Sequence, residues 1–187
     1  MAVMLGTIII GEEGGSVWLF FSSPITARSL VKCKYAFVTI FSLIVMVVCG
    51  AIGILISRPS PDITIALLIE SVLLIFALGA VSLGAGIKGA DFTEVPRPKM
   101  VRPLTVIVYG LLCLLLALAI LSPLIPYAVT MMNLEVTIMN VPVPVSLPKI
   151  DLYVAVSISA VIALVVTFVF YKIALKNAEE FLIKAEI

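Results

Sequence analysis

The chain has 187 residues, 63% of them apolar, with 12 basic and 11 acidic side chains and no histidine. At a mean hydropathy of +1.29 it has too few polar residues to cover a globule in water, so lipid is the solvent for most of it. A formal net charge of +1 without a basic block excludes a concentrated nucleic-acid-binding face, and three scattered cysteines give neither a disulfide framework nor a metal site.

Met1 to Ile10 is apolar but too short to cross a bilayer, and it lacks the basic start and small-residue cleavage pattern of a signal peptide. It has the look of the end of an earlier span. The following stretch, Gly11 to Lys34, carries Glu12 and Glu13, a glycine pair at Gly14 and Gly15, and an aromatic segment around Trp18, Phe20 and Phe21 that seeks the headgroup level. Ser23 followed by Pro24 predicts a helix start, with the serine as N-cap and the proline in the first turn. Arg28, Lys32 and Lys34 then pin the helix at the cytoplasmic surface, so that residues 1–34 form an apolar stub and an interfacial elbow. An anchor with no further role satisfies the same residues.

Four spans follow in residues 35–187. Tyr35 to Ser57 carries no charge and is closed by Arg58, Pro59, Pro61 and Asp62; residues 63–87 carry a single acid, Glu70; residues 104–125 end at Pro123 and Pro126; residues 152–171 are again uncharged. The connection from Tyr127 to Ile150 has Pro142 and Pro144 at alternate positions, which predicts an edge strand or a polyproline-like loop. Arg28, Lys32, Lys34, Lys88, Arg97, Lys99, Arg102, Lys172, Lys176 and Lys184 all fall on one side of this topology, and only Arg58 and Lys149 on the other. The positive-inside rule therefore places both termini in the cytoplasm of an all-α integral protein of the cell membrane.

Helices in a bilayer associate through small residues, because apolar side chains gain nothing by leaving lipid. Seams of this kind occur at Cys49 and Gly53, at Ala80 with Gly84 and Ser82 with Gly86, and at Ala155, Ser159 and Ala163. Gly84, Gly86 and Gly89 match a dinucleotide-binding spacing, but they end an apolar span instead of linking a strand to a helix, and that reading is rejected. No phosphate-binding loop, zinc spacing or catalytic triad is present in the sequence, so no enzyme, cofactor or metal is expected. Glu70 is the one ionisable group well inside a span. It is either a substrate or proton contact or, with about twice the weight, a neutral glutamate bonded to a neighbouring helix or reaching water at the outer interface.

The stretch before the first span resembles a signature of ABC transporter permeases of the type-2, exporter-like kind: Glu13, Gly14, Trp18, Leu19, Ser23, Pro24, Ile25, Arg28 and Lys32. A second similarity lies after the second span, in Gly84 to Gly89, Ala90, the Asp91–Phe92 pair, Glu94, Pro96 and Arg97. The two cover about half the chain. They imply a membrane subunit whose elbow (Glu13, Gly14, Trp18, Pro24, Arg28, Lys32) and loop (Asp91, Phe92, Arg97) dock a separate ABC ATP-binding subunit. Such permeases normally have six or more spans, so the chain resembles the C-terminal portion of a larger one. A further permease chain or a second copy is the expected membrane partner, and a small membrane scaffold or assembly protein without transport is the alternative.

Overall fold

A computed structural model describes residues 1–9, 26–89, 103–127, 136–138, 141–143 and 151–184. In chain order the elements are α1 (Ala2–Ile8), α2 (Ala27–Ser57), α3 (Pro61–Gly89), α4 (Pro103–Leu121), β1 (Val136–Ile138), β2 (Val141–Val143) and α5 (Leu152–Lys184). Helices α2 to α5 are each long and apolar enough to cross a membrane, and they correspond to the four spans read from the sequence. Their outward faces remain apolar: Ile44, Val47, Leu114 and Phe168 are all exposed, as lipid-facing side chains would be.

The boundaries follow local chemistry. Thr26 is extended, and its side chain accepts a hydrogen bond from the Ser29 N–H, which makes it the N-cap of α2. Ser23 and Pro24, the expected helix start, lie outside the described residues; Arg28 and Lys32 stand on the first turns of the spanning helix, which begins at Ala27. At the other end of α2, Arg58 takes a left-handed conformation (φ 45°) and its N–H returns to the Ile54 carbonyl. Three residues later Pro61 opens α3, where its missing N–H is no loss. Pro103 opens α4 in the same way, and the turn at Ser122 and Pro123 ends it at Leu121, at the prolines that the sequence marks as its end.

Helix α5 continues thirteen residues beyond Tyr171, where the expected span stops, to Lys184. The extension holds because Ala174 and Ala178 are buried while Lys172 and Lys176 face outward. In the long connection, β1 and β2 pair antiparallel with Thr137 opposite Pro142. This is the strand alternative for the proline-rich segment, kept to a two-stranded ribbon in which a proline has no further ladder to interrupt.

Two clusters hold the bundle. At one end Ala27 and Val31 of α2 meet Leu83 and Ile87 of α3 and Ala174 and Ala178 of α5, with Ile9, Tyr35 and Tyr171 around them. Arg28, Lys32, Lys88, Lys172 and Lys176 are exposed around this cluster, so it marks a basic end of the bundle. Toward the middle, Ala77 of α3, Ile120 of α4 and Ala163 of α5 form the second cluster. Small residues at both contacts let the backbones approach.

The apolar stub is helical and lies inside the fold. Ala2, Gly6 and Thr7 are buried, and the Ser82 hydroxyl of α3 donates to the Ala2 carbonyl at 3.2 Å. A Cβ on Gly86 would stand 2.8 Å from the Thr7 carbonyl oxygen, so only glycine permits this crossing. Gly84, one register over, faces Ala174 of α5 instead, and Asn177 donates its amide to the Gly84 carbonyl at 3.1 Å. Gly84 and Gly86 of the apparent dinucleotide spacing are thus helix-crossing positions.

Candidate functional site

The middle of the bundle contains a buried carboxylate. Glu70 lies about two turns into α3, on the stripe that continues through Leu73, Leu74 and Ala77 to the α3–α4–α5 contact. It is 2% exposed, and neither carboxylate oxygen has a hydrogen-bond partner. The Ser159 hydroxyl of α5 lies beside it. That hydroxyl gives its one proton to the Ile120 carbonyl of α4 at 2.7 Å, which leaves the carboxylate without a donor. Ser159, on a neighbouring helix, is the hydroxyl within reach of Glu70.

An ionised carboxylate without a partner in such surroundings is destabilising by on the order of several kcal/mol. The group therefore demands a proton or a cation whenever the helices are closed around it, and Ser159 is the adjacent dipole able to respond. Because that hydroxyl has one proton, a bond from it to Glu70 would require it to release the Ile120 carbonyl. The sequence places Ser159 only in a packing seam. Its pairing with Glu70 could have been suspected from depth, since each residue lies about two turns from the same end of its own helix.

The residues of the elbow and loop signatures distribute differently. Arg28 and Lys32 are exposed on α2 at the basic end, one and five residues from the start of a helix that runs without interruption to Ser57. Val31, between them on the next turn, is fully buried against α3 and α5. Glu13, Gly14, Trp18, Pro24, Asp91, Phe92 and Arg97 lie outside the described residues.

Two of the three small-residue seams are used. Ser82 and Gly86 receive α1, while Ser159 and Ala163 meet α4 and α3. The third, Cys49 with Gly53, is not: Cys49 is exposed, and a Cβ on Gly53 would meet nothing within 4 Å.

Four helices long and apolar enough to cross a bilayer make this a multi-pass membrane protein. Comparison with family models, curated proteins and solved structures gives no match.

Proposed function

We propose that the chain is a membrane-spanning subunit of an ATP-driven exporter of the ABC type-2 kind, set in the cell membrane with both termini cytoplasmic and driven by a separate ATP-binding subunit. The observation that supports this most is the continuity of α2. Arg28 and Lys32, which belong to the coupling signature in the sequence, project from the first turns of a 31-residue helix whose base is packed against α3 and α5. A load applied at those turns is carried along a stiff rod through the bilayer and into its neighbours. On this reading the basic end is cytoplasmic, in keeping with the distribution of lysine and arginine.

The test is recovery of the tagged chain from native membranes in mild detergent, with identification of what accompanies it. An ATP-binding subunit recovered in fixed proportion, whose ATPase activity depends on the chain, is the expected result. Recovery of the chain without any ATP-binding protein would overturn the exporter reading and leave a membrane scaffold.

A second reading, an ion-coupled carrier, is favoured by the unpartnered carboxylate of Glu70. It requires that transport fail in Glu70→Gln and survive loss of ATP binding in any partner, the reverse of the pattern expected for an exporter.

A further inference from the structure

Helix α4 ends inside the bundle. Its penultimate residue, Ile120, is fully buried and bonded to Ser159, which stands about 10 Å along α5 from Leu152. Glu70, beside the same serine, stands about 13 Å along α3 from Pro61. The break in α4 has a local cause. Pro123 has no N–H for the Ala119 carbonyl four residues before it, and the Ser122 hydroxyl takes that carbonyl at 2.8 Å. The next carbonyl, that of Ile120, takes the Ser159 hydroxyl at 2.7 Å. A helical turn over 124–127 follows the break. The partially negative carbonyl end of a helix therefore meets the one hydroxyl that lies beside the buried carboxylate.

The direction of these bonds decides what Glu70 lacks. Ser159 has a single proton, given to Ile120, and has only lone pairs left to offer. An ionised carboxylate also only accepts, so it gains nothing from them, whereas a protonated carboxyl donates. Both oxygens of Glu70 are without a partner, in a side chain that is 2% exposed. One added proton satisfies the whole set: Glu70 O–H donates to Ser159 Oγ, and Ser159 O–H donates to the Ile120 carbonyl. A hard metal cation takes about six oxygens, more than these three residues supply.

No fixed charge competes within the spans. On the elements packed against α3, the titratable side chains at that level of the membrane are phenols and thiols: Tyr35 and Cys49 of α2, Tyr109 and Cys113 of α4, and Tyr153 and Tyr171 of α5. Helix α1 has none. Among the described residues the lysines and arginines stand at the basic end, apart from Arg58, which lies with Asp62 and Asp151 at the other.

We infer that Glu70, Ser159 and the Ile120 carbonyl form a proton-binding site whose occupancy is coupled to closure of α4 against α3 and α5. With the proton bound, the three helices are joined by a continuous pair of hydrogen bonds. With it lost to water, the carboxylate is unpaired in the closed bundle, so the ionised form favours separation at the end of α4, where water can reach it. Closing takes up a proton and opening releases it, which is one linkage read in two directions. The site names the ion that the carrier reading leaves open, and it rests on that reading only for what the proton would drive.

The test uses the purified full chain in lipid vesicles and measures binding without transport. Difference infrared spectroscopy through a pH titration is expected to show a protonated-carboxyl band, moved by deuterated water, that is lost as the pH rises. Glu70→Gln should lack the band, Ser159→Ala should shift its frequency, and exchange of Na+ for choline should leave it unchanged. Hydrogen exchange of the last amides of α4 should increase with pH in the parent relative to Glu70→Gln, whose amide donates to Ser159 at every pH. A band absent, persistent at every pH, removed by Na+ or indifferent to Ser159→Ala would overturn the site, and equal exchange in parent and Glu70→Gln would overturn the coupling. A titrating band together with transport that survives Glu70→Gln would remove the carrier reading and leave the proton site standing.

Discussion

Ser82 of α3 and Ala2 of α1 are joined by a hydroxyl-to-carbonyl hydrogen bond of 3.2 Å, although eighty positions separate them in the chain. The bond fixes a short apolar helix between two long ones, where Gly6 and Gly86 remove the side chains that would block it. It shows how this bundle is assembled: apolar surface is plentiful and unselective in lipid, and contacts are decided by clearance and by isolated hydroxyls.

Gly86→Val should therefore expel α1. The new Cβ would lie 2.8 Å from the Thr7 carbonyl oxygen, a backbone atom that cannot swing away. A loss of about 1–3 kcal/mol in unfolding free energy is expected from such overpacking. Gly53→Ala is the matched control, because its Cβ enters open space, and it should be neutral or slightly stabilising. Unfolding in mixed micelles measures both.

Ser159→Ala removes the hydrogen bond that α5 makes to the Ile120 carbonyl. Interhelical bonds of this type contribute about 0.6 kcal/mol within a membrane. A loss near that value is expected, together with a smaller effect when the same change is made in a Glu70→Leu background, because Ser159 is the donor closest to that carboxylate. Equal losses in the two backgrounds would show that the two side chains are independent.

Glu70→Leu replaces a buried group with two unpartnered oxygens by one that needs none. A gain of about 1–3 kcal/mol in stability is expected, the size of a relieved unsatisfied polar group. Retained transport in this stabilised variant would assign Glu70 no functional part. A carboxylate kept at a cost to stability should reveal itself by lost activity in a better-folded protein.

The double variant Trp18→Ala with Arg28→Glu should detach or uncouple an ATP-binding partner. Arg28 is exposed on the first turn of α2 and is not among the residues of the cluster that Ala27 and Val31 join, so insertion and span number should be unchanged. Protease mapping in vesicles checks the topology, and partner-stimulated ATPase activity checks the coupling. Activity equal to the parent would remove the lever role from these residues.

The four spans were legible because length and the absence of charge are properties of a segment alone. Pro103 marked the start of α4 and Pro123 its end for the same reason, a missing N–H acting locally, whereas Pro61, read as closing the first span, opens α3. The start of α2 was less legible. Ser23 and Thr26 can both cap a helix, and the structure uses Thr26, from which Ala27, Leu30 and Val31 are carried into the basic-end core.

By itself, then, the sequence determined that this chain lives in lipid, where it crosses, and that its lysines and arginines gather at one end. Tertiary structure alone decided which small-residue seams are occupied, that α1 lies within the bundle, and that Glu70 is enclosed beside Ser159. Cys49 with Gly53 and Ser82 with Gly86 have the same spacing and the same kind of side chain, yet one is open and the other filled. Periodicity states that a helix face is small; in lipid, where no hydrophobic force selects between a neighbour and solvent, only the arrangement of the other helices states what covers it.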